Sequence, residues 1–133
     1  MTDPVYGFTV NVKGSFEDVV SSVTEELAKE GFGVLTEIDV RATLKKKLGI
    51  EKNPYVILGA CNPSLANKAL DADPNIGLLL PCNVVVREEE KGVAVAFMDP
   101  AAVLGLVQRD DLSELGNEVR SKLERVRDAL RSI

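Results

Sequence analysis

Histidine is missing from all 133 residues. Its absence removes the usual general base near neutral pH and the commonest metal ligand. Ser-His-Asp and Cys-His nucleophile arrangements are therefore excluded. So are the catalytic zinc sites built on three histidines, or on two histidines and a carboxylate. Tryptophan is also absent, and aromatic residues make up only 5% of the chain, which leaves little material for stacking nucleic-acid bases. No apolar run approaches the roughly 18 residues that a membrane-spanning helix needs. The start, Met1-Thr2-Asp3-Pro4, has neither a basic nor an apolar leader region, so a cytoplasmic protein without a secretory signal is expected. Basic charge is short as well: the net charge is −5, against the positive balance that phosphate neutralisation requires. Lys45-Lys46-Lys47 is too brief to reverse that, so no nucleic-acid partner is expected.

The remaining composition describes one ordinary globular domain over residues 1–133, 45% apolar and free of low-complexity sequence. Val5–Val12 alternates and is β-branched, which predicts a first strand. Ser15 is a suitable N-cap, with Asp18 at the third helical position. Phe16, Val19, Val20, Val23 and Leu27 then recur at helical spacing, and Gly31 closes the segment. Gly33–Val40 predicts a second strand. Strict alternation there would put Val34, Thr36, Ile38 and Val40 on one face, with Leu35, Glu37 and Asp39 on the other. A short helix carrying the lysine run follows from Arg41 to Leu48. Tyr55–Ala60 is apolar almost throughout and reads as a strand buried on both faces.

The stretch from Leu58 to Asn83 holds the chemistry. It contains both cysteines, Cys61 and Cys82, each followed by an asparagine. Asn62-Pro63 has the pattern of an N-cap and first residue of a helix, in which Leu65, Ala66, Ala69 and Leu70 would face inward. Asp73-Pro74-Asn75 is turn chemistry. Cys82–Glu88 and Gly92–Asp99 form a predicted hairpin across an acidic tip. Ala101–Val107 reads as a short helical segment. A final helix from about Leu112 to Arg131 shows an apolar stripe at three- and four-residue spacing. The expected architecture is α+β: about five strands in one mixed or mainly antiparallel sheet, packed against helices in the order β-α-β-α-β-α-β-β-α.

Cys61 precedes a helix N-terminus, where free N–H groups stabilise an anion, and a turn can bring Cys82 beside it. Three readings remain open. Cys61 and Cys82, with Asn62, Asn83, Glu37 and Asp39, can bind a small ligand, or the two thiols can hold a soft metal ion. Alternatively, Cys61 is a nucleophile with Cys82 as its resolving partner in redox or sulfur-transfer chemistry. In the third reading both thiols are simply buried packing. No particular cofactor follows from any of them.

The segment L-G-A-C-N-P, followed by a D-P turn and then L-L-L-P-C-N-V-V-V, resembles the domain of unknown function 302 family. The likeness extends upstream through T-E-I-D-V and downstream to the D-P after the hairpin, covering most of the chain. Cys61, Asn62, Pro63, Pro81, Cys82 and Asn83 match the family's motif, with Glu37 and Asp39 as a second set. The resemblance implies a compact α+β fold and a homodimer, and it brings no activity.

Overall fold

A computed structural model describes residues 3–133. The first strand, β1 (Gly7–Val12), is followed by α1 (Phe16–Lys29), β2 (Gly33–Asp39), α2 (Val40–Leu48), β3 (Tyr55–Cys61) and α3 (Pro63–Ala72). A 3-10 segment (Pro74–Leu79) leads into β4 (Cys82–Glu89) and β5 (Gly92–Met98), and the chain ends with α4 (Pro100–Gly105) and α5 (Asp110–Arg131). The strands form one sheet in the order β1-β5-β4-β3-β2, antiparallel at every pairing. The expected α+β class and element order are thus what the chain adopts, with α4 as a separate turn of helix before α5. Among the described residues no helix is long and apolar enough to cross a membrane.

Alternation along the strands explains where the core lies. Phe8, Val10 and Val12 of β1, Val56, Leu58 and Ala60 of β3, Val84 and Val86 of β4, and Val93, Val95 and Phe97 of β5 are all buried. They form one cluster with Val19, Val23 and Leu27 of α1, Leu65 and Ala69 of α3, and the α5 stripe from Leu112 to Leu130. The helical stripes meet that face because residues three and four apart share one side of a helix. Local signals set the helix ends. Ser15 Oγ accepts from the Asp18 amide at 3.1 Å, and Asp39 Oδ1 accepts from the Ala42 amide at 2.9 Å. Gly49 closes α2 in the left-handed region at φ 67°.

Asp99 is the buried charged residue among those described, at 7% exposure. Its Oδ1 accepts from the amides of Ala101 (2.9 Å) and Ala102 (3.4 Å), capping α4, while its Oδ2 pairs with the Arg120 guanidinium of α5. The same guanidinium lies 5.4 Å from the centroid of the Phe8 ring, so one carboxylate ties the end of β5 to α4, α5 and the β1 edge. A close backbone approach completes that joint. A Cβ on Gly116 would lie 2.8 Å from the Pro100 carbonyl oxygen and 3.1 Å from Ala101 Cα.

Four local expectations need correction. The first strand begins at Gly7, not Val5; Val5 and Tyr6 are 92% and 67% exposed in the turn before it. Strict alternation in β2 fails because its register shifts between Val34 and Thr36. Val34 opposes Ala60 and Thr36 opposes Gly59, so the bulge puts these two residues on opposite faces, and Val40 already belongs to α2. Leu70 is exposed, since the inner face of α3 is the Leu65–Ala69 line. Finally, β3 is fully covered on one face only: Val56, Leu58 and Ala60 are buried, whereas on the other face Gly59 is buried and Tyr55 and Ile57 are half-buried.

Candidate functional site

The two cysteines come together through strand register. Ala60, the residue before Cys61, is the direct partner of Cys82 across β3 and β4, so both thiol-bearing residues lie at the same end of the sheet. The chain leaves β3 into α3 at this point and re-enters the sheet at β4 after the 3-10 segment. Asn62 fixes the first of these transitions. Its Oδ1 accepts from the Leu65 amide at 3.3 Å, capping α3, and its Nδ2 donates to the Glu30 carbonyl at 3.4 Å. Pro63 then occupies the start of the helix, where a missing amide hydrogen costs nothing. Pro81, joined to Leu80 by a cis peptide bond, leads directly into Cys82.

Between these elements lies a crevice with a cavity of about 40 Å³, lined by both cysteines. Its walls are otherwise almost wholly apolar. Leu65, Ala66 and Ala69 come from α3, Leu104 from α4, and Leu115 and Val119 from α5. Cys61 is half-buried and Cys82 buried, both as free thiols. Burial pushes the Cys82 thiol from an ordinary 9.0 up to about 11, and the adjacent Cys61 adds to the shift. The cause is physical: an apolar wall cannot solvate a thiolate, and two thiolates side by side repel. Cys82 is therefore a neutral thiol near pH 7, a poor nucleophile and a poor leaving group.

The other residues singled out in the sequence fall elsewhere. Glu37 and Asp39 line a separate, more polar depression with Phe16, Glu17, Arg41 and Tyr55. They oppose Leu58 and Val56 of β3, and Asp39 is occupied as the cap of α2. Asn83 is exposed and opposes Gly59, so it projects from the sheet face opposite to Cys82. The structure brings together Cys61, Asn62 and Cys82, and leaves Glu37, Asp39 and Asn83 outside the crevice. Among the described residues no group of three or more His, Cys, Asp or Glu side chains is placed to hold a metal ion. Two thiols alone form an incomplete set for zinc and suit a two-coordinate soft ion. The contributions of Leu104, Leu115 and Val119 are not marked by any motif; their helical periodicity identifies them as core, and only the packing shows that they wall a cavity.

Fold and crevice together define a small α+β domain with one antiparallel five-stranded sheet, helices packed on one face, and a two-thiol apolar pocket at the strand ends. The chain belongs to the family described as domain of unknown function DUF302, whose model matches residues 8–130. The chain is similar to a solved structure, that of the uncharacterized conserved protein DUF302 from Bacillus stearothermophilus. The two agree with a TM-score of 0.89 at 29% identity, over 96% of this chain and 100% of that one. No curated protein matches the chain.

Proposed function

We propose that this protein is a non-enzymatic binder of a small apolar ligand, held in the crevice that Cys61 and Cys82 share, and that it works as a homodimer. The observation that carries this reading is the lining itself. Both thiols line a pocket whose other walls are almost wholly apolar, and a neutral thiol beside such walls is a soft, weakly polar contact. A cavity of about 40 Å³ is well below the roughly 150 Å³ that accommodates a benzene ring. It takes the end of a slim alkyl group, with the rest of the ligand outside the mouth. Free thiols suit the reducing cytoplasm, the compartment proposed here.

The test is a titration with straight-chain carboxylic acids and alcohols of increasing length, followed by methyl chemical shifts in the labelled protein. Saturable shifts at Leu65, Leu115 and Val119, abolished in an Ala66→Leu variant that fills the cavity, support the reading. Shifts absent from these methyls at every chain length overturn it. Cu(I) titration under anaerobic conditions examines the soft-metal alternative. Stoichiometric uptake by the wild type, lost in both Cys61→Ser and Cys82→Ser, would make the pair a metal clip instead.

A further inference from the structure

The segment from β2 through α2 is built as though something were packed on it. Helix α2 has nine residues and buries none of them. A helix below about 12 residues is marginal in water without tertiary packing, and here the caps at Asp39 and Gly49 are in place while only Val40 and Leu44 are even half-buried. The strand before it is nearly as bare: six of the seven residues of β2 are exposed. Four large apolar side chains crowd this segment, Leu35 (66% exposed), Ile38 (49%), Leu48 (66%) and Ile50 (41%).

The two sheet edges also differ. At β1 the outward Thr9 amide is taken by Asp3 Oδ1 at 3.0 Å. At β2, which pairs only with β3, no hydrogen bond from the described residues reaches the outer edge. The bulge and the acids of β2 guard it against strand addition, so what calls for a partner is the exposed apolar patch beside the edge.

Charge identifies what covers it. The strand carries acids, Glu37 and Asp39, and the helix carries bases, Arg41, Lys45, Lys46 and Lys47, in a chain of net charge −5. The charged groups lie at similar distances from the β2–α2 junction at Val40 in the two arms. At about 1.5 Å per helical residue, Lys45–Lys47 lie roughly 8–10 Å and Leu48 roughly 12 Å along α2. At about 3.3 Å per strand residue, Glu37 lies roughly 10 Å and Leu35 roughly 17 Å back along β2. With the two arms running in opposite directions from the junction, a two-fold axis near it would lay the α2 of one copy along the β2 of the other and put Lys45–Lys47 opposite Glu37. That patch is self-complementary, as an isologous interface must be.

We propose that β2 and α2 form the surface through which two copies of this chain associate. The inference rests on the homodimer proposed above and gives it a location. Lys45, which pairs with Glu51 of its own chain at 3.2 Å, is exposed enough to exchange that partner for one across the axis.

The experiment is sedimentation equilibrium on the wild type and four variants, with circular dichroism confirming the fold of each. Leu48→Lys places a cation at a helix C-terminus, where it is tolerated by the monomer. It is expected to weaken dimerisation by at least about 100-fold, since the change occurs twice in a two-fold interface. Glu37→Lys and Lys46→Glu are each expected to weaken it by about 10-fold, and the Glu37→Lys/Lys46→Glu double variant to recover most of the loss. A wild type that remains monomeric at about 100 µM overturns both the homodimer and this surface. A dimer unaffected by Leu48→Lys and by both charge reversals leaves the homodimer standing and overturns the surface.

Discussion

The thiol of Cys82 offers the sharpest quantitative test of the crevice. Its pKa rises from 9.0 to about 11 because the apolar wall cannot solvate the thiolate, with Cys61 adding to the effect. Two pKa units mean that at pH 8 the thiolate fraction falls from about a tenth to about a thousandth, so alkylation slows about 100-fold before access is considered. The same shift links to stability. Below pH 9 both native and unfolded Cys82 are protonated, and the stability is fully present. As the pH rises through 9 the unfolded thiol ionises while the native one keeps its proton. The native state then loses about 3 kcal/mol by the time pH passes 11. The assay is iodoacetamide modification followed by mass spectrometry across pH 7–11, with the protein unfolded in guanidinium as the reference. Denaturation of the wild type and of Cys82→Ala over the same range isolates the stability contribution of this one group. A Cys82 that reacts within a few fold of the unfolded reference at pH 8 would refute the reasoning. So would a wild type and Cys82→Ala whose stabilities fall in parallel above pH 9.

Three further outcomes follow from the joints around the crevice. Asn62→Ala removes the α3 cap and the tie to the Glu30 carbonyl. It should cost about 1–2 kcal/mol in urea denaturation, with Asn62→Asp recovering the capping part. Asp99→Ala strips two amides of α4 of their acceptor and leaves Arg120 without its carboxylate. A loss of about 3 kcal/mol is expected, and a loss below about 1 kcal/mol would show that the pair is effectively solvated. Gly116→Ala pushes a methyl group into the Pro100 carbonyl. It should cost about 1–3 kcal/mol and, because Pro100 and Leu115 both line the cavity, should also weaken alkyl binding.

Much of the fold was legible because its signals are local. The Ser15 cap, the Asn62-Pro63 helix start, the α5 stripe and the hairpin across the acidic tip each depend on residues close in sequence, and each forms as expected, with β4 reaching one residue further, to Glu89. The alternation of β2 was not legible, because a bulge is a two-strand event. Nothing between Val34 and Thr36 announces that the partner strand will oppose them one residue short. Leu70 fails for a similar reason: an apolar residue beside an inward helical line is inward only if a neighbour is there to meet it.

The candidate site divides along the same physical line. Cys61 and Asn62 are placed by a helix start that four consecutive residues specify, and Cys82 joins them because β3 and β4 pair in the register that sets it against Ala60. Glu37 and Asp39 look equally suggestive in sequence, and their strand does adjoin Cys61. It is Gly33 that pairs with Cys61, however, while the two acids lie toward the other end of β2 opposite Leu58 and Val56. Asn83 follows a cysteine just as Asn62 does, but a strand turns successive side chains to opposite faces, whereas the Cys61–Asn62 step leaves the strand for a helix. The repeated Cys-Asn pair therefore encodes two different environments. One asparagine closes the crevice by capping its wall, and the other faces away from it. The apolar character of β3 carries a parallel lesson. Its nearly continuous apolar run reads as cover on both faces, yet the helices pack on one, and on the other only Gly59 is buried while Tyr55 and Ile57 are half-buried.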